Sequence, residues 1–338
     1  MVIGDTDTNK ELKIILPVLK ICSPQSFNKI YNKISKETRR RLVMKKSFYS
    51  KRAKLVFLLP GFILFTLFVI YSIIPCFIMS LQNHNGAASL GWVGFENYIT
   101  TLKSPAFWAA HKNTYWLLGL ELIIGIPVSL LLALMLGRAG KVAKAIYRFA
   151  ALFPIVLSVT VVGKFFVLGI FDTNVGLLNS VLNAVGLENL TRSWLTDPNT
   201  VMTCIAIAYI WQFLGMNSLL FYTGIRTIPG EFYEAALIDG AGFLKASIKI
   251  TLPLLQDVFK YVLIGATIGT LGMYSQVAIM TKGGPGRASR TVIYEMFYQA
   301  FETSRFGYGC AIAILFLLEC IFWAFIINKY VAREPIEY

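Results

Sequence analysis

Apolar residues gather into six long runs, separated by stretches richer in Gly, Pro, Asp, Asn and Lys. The runs cover 54–81, 113–136, 143–171, 200–224, 254–280 and 306–330. Each reaches the roughly 20 residues that a helix needs to cross a bilayer. Lipid offers no partner to backbone N–H and C=O groups, so each run must close its own hydrogen bonds as a helix. The pattern predicts an all-α polytopic membrane protein with six transmembrane helices.

Composition sharpens that reading. Of 338 residues, 56% are hydrophobic and 15% charged, whereas soluble domains carry roughly 25% charged residues. A disordered chain, a disulfide scaffold and an ordinary cytosolic enzyme are excluded. The net charge of +14 is unevenly placed. Residues 1–54 hold 14 Lys and Arg against 4 Asp and Glu, so most of the excess precedes the first apolar run. Positive-inside orientation and attraction to an anionic leaflet account for it. No nucleic acid partner is expected.

Basic residues also orient the loops. Arg138, Lys141, Lys144 and Arg148 follow the second run, Arg226, Lys245 and Lys249 the fourth, and Lys329 and Arg333 the sixth. All are expected inside, so both termini are cytoplasmic. The link with Lys282, Arg287, Arg290 and Arg305 is assigned outside and is the exception to the rule. Residues 1–25 contain Asp5, Asp7 and Glu11 and do not read as a secretory signal. The dense basic stretch at 35–54 fits either a helix lying on the inner membrane surface or a tail that only sets topology. Five cysteines, none in a CxxC pair, read as inert thiols. Two histidines are too few for a histidine metal site.

One loop differs from the rest. Residues 225–253, between the fourth and fifth runs, are not polar throughout. Pro229 and Gly230 break the preceding span, and Glu231 and Glu234 stand near the start of the next helix, where negative charge is favourable. Phe232, Ala235, Ala236, Leu237 and Ile238 supply an apolar side, and Gly240 and Gly242 stop or bend the helix. A second short helix around 244–250 leads to Pro253, expected in the first turn of the fifth span. The pattern predicts a short helical hairpin on the cytoplasmic face.

Within this loop, Glu234-Ala235-Ala236, three further residues, Gly240, and then Ile250-Thr251-Leu252-Pro253 are similar to the EAA motif of permease subunits of binding-protein-dependent ABC importers. The chain resembles the MalF-type branch, which imports sugars, oligosaccharides and glycerol phosphate. Arg226-Thr-Ile-Pro229, Met280-Thr-Lys-Gly-Gly-Pro285 and Phe306-Gly-Tyr-Gly309 carry that resemblance. It covers about residues 55–331. The organisation expected is a basic cytoplasmic tail at 1–53, a six-span permease domain at 54–331 with its EAA loop at 225–253, and a short cytoplasmic tail at 332–338.

The resemblance implies a multi-pass protein of a prokaryotic plasma membrane that forms half of a translocation pathway. Its implied partners are a second homologous permease, two ATPase subunits, an extracytoplasmic solute-binding protein, membrane lipids and a carbohydrate substrate. No GxxxxGK[ST] phosphate loop occurs in the chain. ATP hydrolysis is therefore expected in separate subunits, and no catalytic residue, cofactor or metal is expected here. The implied ATPase-coupling residues are Glu234, Ala235, Ala236, Asp239 and Gly240. Glu234 would pair with the ATPase, the alanines would allow close approach, and Gly240 would make the turn.

Polar and aromatic residues inside spans are candidates for the substrate pathway. Aromatic faces suit sugar C–H surfaces, and amides and hydroxyls suit sugar hydroxyls. The candidates are Ser158, Tyr209, Trp211, Gln212, Met216, Thr270 and Tyr274. By the resemblance, Trp211 and Gln212 fall in the family's sugar-contact stretch of the fourth span, and Thr270 and Tyr274 in that of the fifth. Gly269 stands where some members carry an aromatic residue, which implies a looser pathway. The other reading of these residues is packing between helices. Glu121, Lys164 and Glu319 also fall within spans, at a cost of about 3 kcal/mol each at a helix centre. They fit structural pairing, or an ion-coupled secondary transporter. That class should show internal repeats, and none is apparent. A glycerol phosphate importer of the same branch is a further alternative.

Overall fold

The computed structural model describes residues 51–330, and side chains from residue 55 onward. The expected tails at 1–53 (apart from the backbone of 51–53) and 332–338 lie outside the described residues, as do the basic stretch 35–50, Cys22 and Arg333. The principal helices are α1 (Leu55–Ser80), α2 (Glu96–Lys103), α3 (Pro105–Arg138), α4 (Lys141–Val156), α5 (Val159–Ile170), α6 (Leu177–Ala184) and α7 (Val201–Thr227). They continue with α8 (Glu231–Ile238), α9 (Phe243–Leu254), α10 (Gln256–Leu271), α11 (Ser275–Met280), α12 (Val292–Phe297) and α13 (Phe306–Tyr330). A small antiparallel hairpin pairs β1 (Gln82–His84) with β2 (Ser89–Trp92). Among the described residues the fold is all-α apart from that hairpin.

Contacts divide the chain into two compact units at Ile73–Ile74. The described part of the first unit is the start of α1, whose side chains up to Ile73 include none that is buried. A helix that is apolar all round suits lipid or a partner helix. The described part of the second unit runs from Ile74 to Tyr330.

Four helices are long and apolar enough to span: α1, α3, α7 and α13. The other two expected spans are bent pairs. The third run is not one helix: α4 and α5 meet at 94°. Pro154 lies in the last turn of α4, and Leu157 and Ser158 take extended backbone (ψ 140° and 149°). Ser158 then caps α5, its Oγ accepting the Val161 N–H at 3.3 Å. The fifth run is displaced as well. Pro253 belongs to α9 rather than to the start of the span, and α10 follows at 74° after Leu255. Leu255 is buried, and its N–H still reaches the Thr251 carbonyl at 3.0 Å, so this bend leaves that donor satisfied. The helix then stops at Leu271, short of the expected 280, and resumes as α11.

The second span is longer than its apolar run. At 34 residues α3 reaches about 51 Å, well beyond a 30 Å hydrocarbon core. It starts at Pro105, a favourable first helical residue, inside what hydropathy alone reads as loop. At its middle the ladder widens into a π turn, Glu121–Gly125, just before Pro127, which has no N–H to give.

Helix α7 is the centre of the second unit, packing on α3 and α4. Leu117, Val162, Phe166, Ile205, Tyr209 and Val277 form one core cluster, and Ile126, Ala133, Phe221, Tyr222, Val262 and Ala266 a second. A third, of Phe107, Val292, Tyr308 and Ile312, seats α12 against α3 and α13. The segment between α11 and α13 is a built structure. Thr291 Oγ1 donates to the Met273 carbonyl at 2.6 Å, and Thr114 Oγ1 accepts the Val292 N–H at 3.1 Å. Two of its surplus cations are engaged. Arg290 pairs with Glu295 at 2.9 Å and lies 3.8 Å from the Tyr298 ring centre, and Arg305 lies 4.7 Å from that of Tyr308. Burial disfavours the Arg290 charge, but the bonds to Glu295 and Tyr298 outweigh it and hold its pKa above the usual arginine value. The charge exception in this link is thus partly neutralised within the fold.

The crossing of α4 over α7 depends on Gly215. A Cβ there would fall 2.0 Å from the Ala151 carbonyl oxygen, a contact that backbone cannot yield. Gly61, in α1, has open space at the same position. Gly215→Ala should therefore lower stability by about 1–3 kcal/mol, the usual cost of overpacking, while Gly61→Ala should be neutral. Thermal unfolding of the solubilised protein checks this. Equal midpoints for the two variants would contradict the crossing described.

Candidate functional site

The loop after α7 folds as the helical hairpin that the sequence pattern predicts, except that Pro253 lies in α9. Pro229-Gly230 ends the span, and the Gly230 carbonyl accepts the N–H groups of Tyr233 (2.9 Å) and Glu234 (3.1 Å), starting α8. Glu231 and Glu234 fall in its first turn. The helix closes on Gly240, which takes φ +69°. The Gly240 N–H returns to the Leu237 carbonyl and the Ala241 N–H to that of Ala236, at 3.1 and 2.8 Å. This double return is a Schellman cap, whose left-handed residue is nearly always glycine. Helix α9 follows after Ala241 and Gly242.

Three of the five candidate loop residues share a surface. Ala235, Ala236 and Asp239 line a cleft of about 530 Å³ between α8 and α9, together with Glu231, Lys245 and Lys249. Ala236 is buried, and Glu234, Ala235, Asp239 and Gly240 are exposed. Glu234 is not part of the cleft lining. Leu237 and Ile238 stand 74% and 87% exposed, an apolar edge at the end of α8. Two contacts brace the hairpin. The Arg138 guanidinium, at the end of α3, lies 3.8 Å from the ring centre of Phe243, and the Tyr233 and Thr251 hydroxyls are 3.0 Å apart. In the sequence Thr251 figures only within the motif and Arg138 only as an orientation charge, and nothing there shows that either braces the hairpin.

The candidate pathway residues divide. Tyr209, Gln212 and Thr270 are buried, Trp211 and Tyr274 half-buried, and Ser158 and Met216 exposed. Gln212 bridges the broken span: its Nε2 donates to the Leu157 carbonyl at 3.4 Å, and its Oε1 accepts from Gln276 at 3.5 Å. Trp211 packs on the rings of Phe165 and Phe166, at 6.0 and 5.5 Å. The Tyr209 hydroxyl fills the space beside Gly269, 2.8 Å from where a Cβ would sit. Tyr274 joins a different aromatic group, stacking on Tyr294 at 5.8 Å and tilted against Phe297 at 4.8 Å. The rings of Tyr294 and Phe297 carry no motif signal in the sequence.

The three ionisable groups within spans do not meet one another. Glu121 is buried at the π turn of α3, where Asn217 donates to its Oε1 at 3.3 Å. Glu319 of α13 faces His111 at 3.2 Å and accepts the Tyr115 hydroxyl. Lys164 is exposed. Outside the spans, Asp172 follows α5, and the N–H groups of Val175 and Asn174 hold its carboxyl below the usual carboxylate pKa.

Residues 125–335 match the family described as binding-protein-dependent transport system inner membrane component. The chain is 34% identical to the arabinooligosaccharides transport system permease protein AraP of Bacillus subtilis (strain 168), covering 80% of this chain and 86% of that protein. It is 29% identical to the lactose transport system permease protein LacF of Rhizobium radiobacter, over 82% and 93% of the two chains. It is also 29% identical to the diacetylchitobiose uptake system permease protein NgcF of Streptomyces coelicolor, over 78% and 79%. The fold is similar to a chain in the crystal structure of a bacterial ABC transporter involved in the import of the acidic polysaccharide alginate. That match has a TM-score of 0.72 at 22% identity and covers 86% of this chain and 99% of that one. A bacterial alginate ABC transporter in complex with alginate pentasaccharide-bound periplasmic protein gives a TM-score of 0.73, again at 22% identity, over 86% and 98% of the two chains.

The bridge through Gln212 is directly testable. Gln212→Leu removes the donor to a carbonyl freed by the break and should cost about 1–3 kcal/mol, the penalty for an unpaired buried polar group. Measured as a thermal midpoint, an unchanged value for Gln212→Leu would mean that Leu157 finds another partner.

Proposed function

The chain belongs to the inner membrane components of binding-protein-dependent transport systems, and on that premise we propose that it forms half of the translocation pathway of an ATP-driven carbohydrate importer. The exposed face of α8 docks on a separate ATPase subunit, and that docking moves the spans. The observation that carries this reading is the hairpin itself: a helix with exposed Glu234, Ala235, Leu237 and Ile238, closed by a Schellman cap and tied to α3 through Phe243 and Arg138. A helix held at both ends transmits displacement, whereas a loose loop absorbs it. Glu234 supplies the charge for a basic or donor group of the ATPase, and Ala235 the close approach. The α8 end of the molecule is the cytoplasmic one, with both termini on that side.

An oligosaccharide is the substrate class we favour. AraP and NgcF are described as permeases for arabinooligosaccharides and diacetylchitobiose, and LacF for lactose. These descriptions do not favour glycerol phosphate, and the family disfavours an ion-coupled carrier, whose candidate groups Glu121, Lys164 and Glu319 are dispersed. Trp211, with neighbouring Phe165, presents the aromatic surface a sugar ring would pass, and Tyr209, Met216, Thr270, Tyr274 and Ser158 are further contacts along the path. Gln212 would reach a sugar only if the Leu157 bridge opened during transport. The assembly requires a second homologous permease, two ATPase subunits and an extracytoplasmic solute-binding protein like the periplasmic partner of the alginate transporter.

Purification of the tagged chain from its native membrane, with mass spectrometry of its companions, should recover a P-loop ATPase and a second EAA-type permease. In the assembled complex, Glu234→Ala should cut uptake of labelled oligosaccharide at least about tenfold, the loss of one charge-assisted contact, and Gly240→Leu should also lower uptake by straining the cap, both with expression maintained. A Cβ at Gly240 meets nothing within 4 Å, so the cost of a side chain there begins with backbone strain at the left-handed φ. Recovery of the chain alone, or full uptake by both variants, would count against the coupling role.

A further inference from the structure

A second cleft, of about 770 Å³, lies between the ends of α3 and α7 and the hairpin of α8 and α9. Its charged lining consists of Arg138 and Arg226, and no carboxylate lines it. Neither arginine forms an ion pair among the described residues. Arg138 is stacked on Phe243, a contact made through the guanidinium face, which leaves the N–H edge available. Tyr233, Ser247 and Thr251 contribute hydroxyls, and α9 starts after Gly242, which offers no side-chain cap. Leu134 and Ile225 make part of the wall apolar.

Two unpaired guanidiniums facing a cleft without a carboxylate will attract an oxyanion, and planar N–H forks match phosphate oxygens best. The position selects the source of that phosphate. Arg138 and Arg226 lie in the last turns of two helices long and apolar enough to span a membrane, and basic pockets between the ends of such helices suit anionic lipid headgroups. The apolar wall suits a molecule that carries hydrocarbon beside its charge, which free phosphate does not. We propose that Arg138 and Arg226 form a site for the headgroup phosphate of an anionic phospholipid, which bridges the end of α3 and α7 to the hairpin. The site stands on this geometry alone. Its consequence, that bound lipid stiffens the element docking on the ATPase, rests on the coupling role proposed above.

The purified full-length chain is titrated in detergent with phosphatidylglycerol or phosphatidylcholine, and bound lipid is counted by native mass spectrometry. Wild type should retain phosphatidylglycerol over phosphatidylcholine by at least about tenfold, and Arg226→Gln should lose about tenfold in phosphatidylglycerol retention, as expected for one charge-assisted contact. Arg138→Gln combined with Arg226→Gln should abolish the preference. Arg148→Gln, which is outside the cleft lining, should not alter it. Arg226 is exposed and unpaired, so its single variant folds and keeps the test valid if the double variant does not. Equal retention by wild type and Arg226→Gln overturns the proposal. Displacement of the lipid by millimolar inorganic phosphate also overturns it, by showing a site for a free anion. These readouts need no ATPase, so they fail or succeed independently of the coupling role.

Discussion

The structure depends on one constraint: backbone polar groups inside a bilayer must find partners within the protein. Where the third span breaks, at Leu157 and Ser158, the helix ladder is interrupted and those groups become costly. The break stands because the Ser158 hydroxyl takes one N–H and the Gln212 amide reaches one carbonyl. Gln212 can do so because α7 lies against α4, and α7 can approach because Gly215 presents no side chain to Ala151. One missing Cβ, one amide and one hydroxyl together permit a 94° turn in a span. The second bend costs less, because Leu255 keeps its bond to Thr251.

The same accounting explains the polar residues in the core. Asn217 reaches Glu121, and His111 and Tyr115 reach Glu319. Each carboxyl has a partner on another helix, so these groups fasten α3 to α7 and α3 to α13. Such residues are glue as well as candidate contacts. Gln212 closes the break at Leu157, so the substrate contact proposed for it requires that bridge to open.

The hairpin follows a related logic at the membrane surface. Its helices are short, and isolated short helices are marginal in water. Both ends are therefore held, by the cap at Gly240 and by the contacts of Phe243 and Tyr233. Held in this way, α8 can keep apolar residues exposed without collapsing onto the bundle. An exposed apolar edge on a braced helix is the form expected of a docking element in the importer proposed above.

Hydropathy and local chemistry in the sequence determined the all-α class, the six apolar runs, the hairpin with its glycine stop and, through the EAA spacing, the family. Those features arise from residues close in the chain: a period of hydrophobicity, a proline, a left-handed glycine. Only the tertiary structure decided that two runs are bent, that α3 begins at Pro105, and that Glu121, Lys164 and Glu319 stay apart. It also divided the pathway candidates, burying Gln212 on Leu157 and setting Trp211 and Tyr274 in different aromatic groups. Hydropathy measures how apolar a run is and carries no record of its direction. Which side chain satisfies a freed carbonyl depends on contacts between residues far apart in sequence, such as Gln212 and Leu157, and these exist only once the helices have packed.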